Sequence, residues 1–320
     1  MMALYLTEED VRQLLTMKVA IEAVEEAFRL LGIGQAENLP RRRLHSSKGM
    51  FNIMSASLPV LGYMGYKCYT VFPGKMKFRV FLHSSSSGEL LSVMDADLLG
   101  QMRTGATSGV ATRWMARGDS KIAGIIGTGW QARSQIEAIC QVRTINRILA
   151  YSRSKEKLNT FCNEIQETLE IACIPALSPE EVVEAADILT TITSSNDPVF
   201  QGNRVQAGTH LNAAGSNFIV RRELDETAVR KCRSIVVDSK EQAKLECGEF
   251  LYPLEKGRLT WDQIRELSEV VTARALPRTD PKDITLFKSL GLALEDVAVA
   301  AQIYRFALDQ KVGQKVNLGG

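Results

Sequence analysis

The sequence is poor in the residue types that most often bind metals or form disulfide frameworks. Its 320 residues include three histidines and six cysteines, and no two cysteines have C-x-x-C or metal-ligand spacing. We therefore expect no metal site, and the shortage of histidine argues against a Ser-His-Asp hydrolase. We interpret the cysteines as reduced, mostly buried thiols of a cytoplasmic protein.

The chain also lacks a strong net charge and long hydrophobic runs. Its formal net charge is +2, and the one basic block, residues 41–43, is too short to predict a nucleic-acid partner. No apolar run approaches the ~18 residues of a membrane span, and the N-terminus has no signal-peptide hydrophobic region, so we expect no membrane partner. With 45% hydrophobic and 24% charged residues, the composition is typical of a globular protein long enough for two domains.

One stretch, residues 121–138, has the pattern of a strand, a glycine turn and a helix. An apolar run predicts a buried strand, and a helix begins directly after the segment GTGWQA at residues 127–132. This is G-x-G-x-x-A, in which Gly127 permits a tight turn, Gly129 lets a pyrophosphate approach the backbone and Ala132 keeps the helix close to the strand. The segment predicts a dinucleotide site at the helix N-terminus. The alternative is a glycine turn in an α/β core that binds no ligand.

The periodicity of the chain changes near residue 120. Residues 40–94 contain strand-like runs separated by Gly, Pro and Ser turns, which predict an antiparallel or mixed sheet. Beyond Gly118, strands alternate with helices at roughly 20–30 residues per unit, which predicts a doubly wound parallel sheet of Rossmann type. We therefore expect an α/β protein with a Rossmann domain and a second, α+β domain.

The residues after the second strand of the Rossmann domain distinguish the two nicotinamide cofactors. In this fold an acidic residue there binds the ribose 2′-hydroxyl of NAD, whereas an arginine with small polar residues accommodates the 2′-phosphate of NADP. Here the positions are Ser152, Arg153 and Ser154. Because a guanidinium binds phosphate bidentately and no carboxylate would repel it, we predict NADPH rather than NADH. The alternative is that Arg153 is merely solvated.

Seven short motifs together resemble the ornithine cyclodeaminase/mu-crystallin family. They are PR at residues 40–41, YK at 66–67, MRTGA at 102–106, GTGWQA at 127–132, HLNAAG at 210–215, RELD at 222–225 and FKSLGLALED at 287–296. The resemblance implies a homodimer. It also implies that a Rossmann domain, residues 119–297, is inserted into a substrate-binding and dimerisation domain made of residues 1–118 plus 298–320.

The resemblance implies roles for single residues as well. Arg41 and Arg103 would hold a substrate carboxylate, and Lys67 would lie over the reacting nitrogen as a proton donor or electrostatic partner. The alternatives are that Arg41 is one of three solvated arginines and that Arg103 forms an ion pair on a helix surface. Ser289 and Leu290 would close over the nicotinamide and the substrate. The expected cofactor contacts are Arg103, Thr104, Gly127, Gly129, Trp130, Gln131, Ser152, Arg153, Ser154, Thr193 and Ser289.

Two positions depart from the family pattern. In its cyclodeaminases and alanine dehydrogenases a catalytic aspartate lies two residues after the glycine of the H-x-N-A-x-G strand, where this chain has Asn217. A glutamate of the cyclodeaminases aligns with Asn52, which we place among the substrate-binding residues. Because an amide cannot take up a proton, neither residue can be the general base that ammonia release requires. Reduction of a preformed imine needs a hydride, a positioned carboxylate and one proton donor. Lys67 could supply that proton.

These departures favour an NADPH-dependent reductase of a small cyclic ketimine carboxylate, such as pyrroline-2-carboxylate or piperideine-2-carboxylate. The product would be a proline- or pipecolate-like amino acid. One alternative is an ornithine cyclodeaminase, alanine dehydrogenase or opine-type synthase in which water or another acid replaces the missing aspartate. Another is a non-catalytic protein of mu-crystallin type that holds NADPH and a carboxylated ligand without turnover. Retention of Lys67 with both arginines favours an enzyme.

Overall fold

The computed structural model describes residues 2–317 and divides the chain into two compact units. Unit 1 comprises residues 1–103 and 292–320, and unit 2 comprises residues 104–291. Unit 2 is therefore inserted into unit 1. The boundaries differ from those expected from the sequence, which lay after residues 118 and 297.

The first part of the chain contains most of unit 1. Its elements are β1 (Met2–Leu6), α1 (Glu8–Leu14), α2 (Met17–Gly32), β2 (Glu37–His45), β3 (Met50–Leu58), β4 (Tyr63–Phe72), β5 (Lys75–Ser84), β6 (Leu90–Asp95) and α3 (Asp97–Met115). Both N-terminal helices begin at a threonine that accepts a backbone N–H: Thr7 forms a capping box with Asp10, and Thr16 caps α2.

The rest of the chain alternates strands with helices before it returns to unit 1. Its first elements are β7 (Ile122–Ile126), α4 (Ala132–Val142), β8 (Arg147–Tyr151), α5 (Lys155–Leu169), β9 (Ala172–Pro175), α6 (Pro179–Ala185), β10 (Ile188–Thr191) and β11 (His210–Ala213). They are followed by α7 (Glu226–Lys231), β12 (Ser234–Val237), α8 (Lys240–Glu246), α9 (Leu251–Glu255), β13 (Ile264–Glu266), α10 (Leu267–Val271), β14 (Thr285–Lys288), α11 (Ala293–Gln310) and β15 (Gln314–Asn317).

Unit 1 is built on a mixed sheet of seven strands in the order β15-β1-β6-β5-β4-β3-β2. Strands β2 to β6 form an antiparallel meander, and β1 pairs parallel to β6. Helix α11 packs against α2 and against strands β2 to β5. The side chains that alternate toward this helix are buried, so the face of the sheet under α11 is the core of the unit.

Unit 2 is built on an eight-stranded sheet in the order β13-β12-β14-β11-β10-β7-β8-β9, and every pair of neighbours is parallel. Two clusters of buried apolar side chains are present: one includes residues of α4 and α5, the other residues of α6 and α7. The strand order reverses between β7 and β10, so the carboxyl ends of these two strands form the switch point at which open α/β sheets bind ligands. The α/β fold class expected from the sequence is confirmed.

The boundary between the units falls inside α3 because the two ends of this helix have different neighbours. Gly105 lies so close to α4 that a Cβ atom there would be 2.3 Å from the backbone oxygen of Ser134. Farther along α3, Thr112 accepts a hydrogen bond from Asn212 of β11 at 3.0 Å. A sequence pattern marks the end of a helix, whereas the boundary depends on what each turn of that helix packs against.

Three further observations concern the described part of the chain. All six cysteines are free thiols. Residues 2–317 contain no group of three or more His, Cys, Asp or Glu side chains that could hold a metal ion. Within the same range, none of the helices combines the length and the apolar character that crossing a membrane requires.

Candidate active site

Lys67 lies in the middle of the buried face of the unit 1 sheet. It is 2% exposed, and in register its neighbours are Met54 on β3 and Val80 on β5, which are also buried. Gly100 of α3 faces it, and a Cβ atom at that position would be 2.9 Å from the Lys67 Nζ. An ammonium in such surroundings needs a charged partner, because burial of an unpaired ion is costly.

Two carboxylates of α11 supply that partner and hold a second cation. Lys67 Nζ donates to Asp296 Oδ1 at 2.8 Å, and Arg103 Nε donates to the same oxygen at 3.1 Å. Arg103 Nη1 also donates to Glu295 Oε2 at 2.7 Å. Both carboxylate side chains are fully buried. The result is a four-residue ion cluster that joins β4, α3 and α11 within unit 1.

The surroundings of Lys67 adjust its acidity. The pKa of Lys67 is lowered from its usual 10.5 to about 8. Burial is the largest cause, and the charges of Arg103 and Arg41 act in the same direction, whereas Asp296 acts in the opposite direction. Burial also disfavours the charged form of Arg103, but Asp296 and Glu295 outweigh it and raise the pKa of the guanidinium. Lys67 is therefore mainly protonated at neutral pH and is acidic enough to donate its proton.

Arg41 and Asn52 are buried beside this cluster on neighbouring strands. Arg41 on β2 is 5% exposed, and its charge acts on Lys67. Asn52 on β3 is 1% exposed, yet neither its amide nitrogen nor its amide oxygen has a hydrogen-bond partner among residues 2–317. Buried amides are nearly always hydrogen-bonded in folded proteins. An orphaned amide at this position indicates a place for a polar ligand group.

The charges of these residues do not balance. Arg41, Lys67 and Arg103 contribute three positive charges, and Glu295 and Asp296 contribute two negative charges, which leaves a net charge of +1. One further carboxylate would neutralise it. Four of the five residues predicted from the sequence for the substrate, Arg41, Asn52, Lys67 and Arg103, lie buried in unit 1, and the fifth, Leu290, belongs to unit 2.

Sequence reasoning missed Glu295 and Asp296. Both belong to a motif that supports the family resemblance, but no role follows from that motif. The available signal was two adjacent acids at the start of an otherwise apolar helix, ALEDVAVAAQI. A helix buried on that many sides leaves no surface for acids, so they require buried cations.

The glycine turn of unit 2 has the geometry expected of a dinucleotide site. Gly127 has φ +104°, and a Cβ atom there would be 2.4 Å from the Ile192 carbonyl oxygen, so only glycine fits. A Cβ atom at Gly129 would point into open space. Thr128 Oγ1 and Gln131 Oε1 are buried without partners among the described residues. These features fit a cofactor pyrophosphate at the start of α4.

The positions expected to select the cofactor directly follow β8. Arg153 is exposed, and Ser152 is half-buried. Ser154 Oγ accepts the Lys157 backbone N–H at 3.4 Å and caps α5. Its hydroxyl therefore already has one structural role, while the Arg153 guanidinium projects from the turn.

The other predicted residues of unit 2 lie in loops or in the core. Thr193, just after β10, donates its hydroxyl to Glu223 at 2.8 Å. Asn217 is half-buried in the loop after β11. Ser289 donates its N–H to the Ala213 carbonyl at 3.0 Å. The Leu290 side chain is part of the buried apolar core, so a substrate contact through it stays a prediction.

Three further predicted contacts also stay predictions. Thr104 is buried on α3, where its carbonyl accepts a hydrogen bond from Gln135 at 3.2 Å. Trp130 is half exposed in the glycine turn. Arg103 belongs to unit 1, where Asp296 and Glu295 bind it, so a cofactor contact would be a second role for this side chain.

Comparisons with known proteins agree with the motifs. The model of the ornithine cyclodeaminase/mu-crystallin family matches residues 1–311. The chain belongs to this family. A Δ1-pyrroline-2-carboxylate reductase of Bacillus cereus is 38% identical over 273 residues, which is 83% of this chain and 84% of the relative.

Two solved structures have the same fold along almost the whole chain. One is a Δ1-pyrroline-2-carboxylate reductase of Thermococcus litoralis in complex with NADH and L-proline, with a TM-score of 0.94, 37% identity and coverage of 98% of this chain and 100% of that chain. The other is an archaeal alanine dehydrogenase dimer with bound NAD, with a TM-score of 0.94, 36% identity and coverage of 100% of both chains. The chain is an oxidoreductase of this family, as the sequence predicted.

Proposed function

We propose that the protein reduces the C=N bond of a small cyclic imine carboxylate, such as pyrroline-2-carboxylate or piperideine-2-carboxylate. The observation that carries this proposal is the group of buried side chains in unit 1: the four-residue cluster and Arg41 together have a net charge of +1, and the amide of Asn52 beside them is orphaned. A single carboxylate on Arg41 and Arg103 would neutralise these five side chains. The similarity to two pyrroline-2-carboxylate reductases supports the same substrate class.

Each residue of the cluster then has one task. Arg41 and Arg103 bind the substrate carboxylate and so orient the imine carbon. Asp296 and Glu295 fix Arg103 before the substrate arrives, so less ordering remains to be done on binding. Lys67 gives its proton to the imine nitrogen, which takes up the electron pair of the C=N π bond. A bound reduced nicotinamide supplies the hydride that the imine carbon accepts.

The side chains described around Lys67 and after β11 favour reduction over release of ammonia. Asn52 and Asn217 are amides, and Asp296 already accepts hydrogen bonds from two cations. None of them is suited to activate water against an imine. The alternatives are an ornithine cyclodeaminase, an alanine dehydrogenase or an opine-type synthase, and a non-catalytic protein of mu-crystallin type. The similarity to the archaeal alanine dehydrogenase favours the dehydrogenase among them.

The proposal extends to the cofactor and the assembly. We assign NADPH as the preferred cofactor, because Arg153 is exposed beside Ser152 and residues 152–154, which directly follow β8, include no acidic residue to repel a 2′-phosphate. The two similar structures contain NADH and NAD, so NADH is the competing cofactor. We also propose that the protein is a homodimer in the cytoplasm. The similarity to the archaeal alanine dehydrogenase, which is a dimer, supports the dimeric state.

An absorbance assay tests the proposal. NADPH oxidation is followed with each cyclic imine carboxylate and, separately, with pyruvate plus ammonia. NAD⁺ reduction is followed with ornithine and with alanine. We expect rapid turnover with a cyclic imine and little with the other substrates. Turnover only with pyruvate plus ammonia would favour the dehydrogenase, and tight NADPH binding without turnover would favour the binding protein.

A further inference from the structure

Glu223 is a buried carboxylate that belongs to the RELD motif and has no part in the proposed reaction. It is 0% exposed, and four donors from two loops converge on it. Oε1 accepts the Thr193 backbone N–H at 2.6 Å and the Thr193 hydroxyl at 2.8 Å. Oε2 accepts the Gly215 backbone N–H at 2.8 Å and the Thr191 hydroxyl at 3.0 Å. Glu223 thus links the carboxyl end of β10 to that of β11.

Close approaches of the Thr193 loop to its neighbours explain why glycine is needed at two positions. A Cβ atom at Gly215 would lie 2.4 Å from both Glu223 Oε1 and the Thr193 nitrogen. A Cβ atom at Gly127 would lie 2.4 Å from the Ile192 oxygen and 3.0 Å from Thr193 Cγ2. Thr193 is therefore in contact with the glycine turn on one side and with the Glu223 carboxylate on the other. The position of Glu223 determines where this part of the switch point lies.

A second layer of buried charges holds Glu223 and the neighbouring loops. Glu249 accepts the Glu223 backbone N–H at 3.1 Å and the Lys288 ammonium at 3.3 Å. Lys288 also donates to the Ser216 carbonyl at 2.7 Å. Asp238 accepts the N–H groups of Leu290 and Gly291. The loops that follow β10, β11 and β14 are thus all bound to buried charged side chains, and these loops carry Thr193, Asn217 and Ser289.

We propose that Glu223 is a positioning residue for the nicotinamide cofactor, and that it acts by fixing the Thr193 loop against the glycine turn and the Gly215 loop. The inference rests on the proposed function only in that unit 2 must bind the cofactor. Its physical basis is preorganisation: two loops joined through four hydrogen bonds to one buried carboxylate lose little freedom when the cofactor binds. Glu223 itself need not touch the cofactor.

The test measures direct cofactor binding by variants at three residues that form carboxylate hydrogen bonds, Glu223, Thr191 and Asp225. Glu223→Gln keeps the shape but replaces one acceptor oxygen by a donor, so one of the two loops loses its anchor. We expect its Kd for NADPH, measured by fluorescence quenching, to rise about tenfold, since small misplacements of binding groups have effects of this order or larger. Thr191→Val removes a single donor, and we expect a rise of about two- to threefold. The KM for the imine should change little in either variant.

Asp225→Asn is the matched control. Asp225 lies two residues farther along the same motif, but its carboxylate accepts the N–H groups of Ala228 and Gly202 and so caps α7. Its loss should lower the melting temperature without changing the Kd for NADPH. If Glu223→Gln lowered the melting temperature equally but left the Kd unchanged, the residue would be structural only and the inference would be wrong.

Thr191→Val keeps the inference testable if Glu223→Gln does not fold. A rise in the Kd for NADPH of Thr191→Val beyond that of Asp225→Asn supports the positioning role, and equal values contradict it. Because binding is measured without an imine, the outcome is independent of substrate identity. Wild-type protein that binds NADPH but reduces no imine would contradict the proposed function alone.

Discussion

Both units bury charged side chains, but they satisfy them in different ways. In unit 1 the charges face one another, since Lys67 and Arg103 share the carboxylate of Asp296. In unit 2 the carboxylates of Glu223 and Asp238 accept mainly backbone N–H and hydroxyl groups of loops. The charges of unit 1 create an electrostatic environment suited to a charged ligand, whereas the carboxylates of unit 2 fix the backbone of the loops at the expected cofactor site.

The surroundings of Lys67 and those of Glu223 also differ in which buried polar groups remain unsatisfied. In unit 1 the Asn52 amide and Asp296 Oδ2 are buried without partners among residues 2–317, and the cluster together with Arg41 has a net charge of +1. In unit 2 both oxygens of Glu223 accept hydrogen bonds. Buried polar groups with unused hydrogen-bonding capacity are expensive unless a ligand completes them, while fully bonded ones stabilise a single structure.

The strongest test of this comparison is Lys67→Ala. Removal of the proton donor should lower kcat by about 10²–10⁴-fold, the usual range for general acid catalysis. The Kd for NADPH should stay within about twofold, because the cofactor is assigned to unit 2. Lys75→Ala, which removes an exposed lysine of the neighbouring strand, is the control. Near-normal turnover of Lys67→Ala would exclude this residue from the mechanism.

Asp296→Asn should have the next largest effect, on both activity and stability. Protonated Lys67 is the active form, so kcat/KM should fall as the pH rises through its pKa of about 8. Asp296 raises that pKa, so its loss should move the alkaline limb of the profile to lower pH. Loss of one partner of a buried pair should also lower the unfolding free energy by about 3–5 kcal/mol.

The pH profile distinguishes this role of Asp296 from a purely structural one. Asp95→Asn is the control. Asp95 accepts hydrogen bonds from Tyr5 and Arg79 in the same unit, but it is partly exposed, and among residues 2–317 it forms no hydrogen bond or ion pair with Lys67. It should lower stability slightly and leave the alkaline limb in place. An unchanged limb in Asp296→Asn would mean that Lys67 does not set it.

Local patterns in the sequence predicted the glycine turn and the alternation of unit 2, because both depend on residues close together in the chain. Helix caps such as those at Thr7 and Ser178 likewise depend on residues three positions apart. The ion cluster could not be predicted in that way. Lys67 and Asp296 are 229 residues apart in sequence, and only the return of α11 to the first sheet brings them together.

The two domain boundaries were displaced for a related reason. A change of periodicity near residue 120 marks the end of α3, but this helix belongs to both units along its length. The orphaned state of Asn52 was equally beyond sequence reasoning. An asparagine in a strand says nothing about whether its amide finds a partner once the sheet has formed, because that depends on the register of the strands.

Asn52→Leu tests the comparison because it should raise stability and weaken substrate binding. Because the Asn52 amide has no partner, an apolar side chain of similar size should raise the unfolding free energy by about 1–3 kcal/mol. The KM for the imine should rise by about tenfold, since a buried hydrogen-bonding group for the substrate is lost. Thermal unfolding and steady-state kinetics measure the two effects.

Asn212→Leu is the counterpart in unit 2. Asn212 is buried to the same degree, but its amide donates to Thr112 at 3.0 Å and its oxygen lies 3.2 Å from His210 Nε2. This substitution should therefore destabilise the protein. Destabilisation of both variants to the same extent would show that Asn52 is satisfied and that the contrast between the units is not real.

Arg153→Ala should have the smallest effect, confined to one cofactor. If the guanidinium binds a 2′-phosphate, its loss should raise the Kd for NADPH by about tenfold, the value of one charge-assisted bidentate contact, and leave the Kd for NADH unchanged. Arg147→Ala, at the amino end of the same strand, removes an equally exposed charge far from the turn after β8 and should change neither Kd. An equal loss of affinity for both cofactors would reject the 2′-phosphate contact, and the argument for NADPH that rests on Arg153 would fall with it.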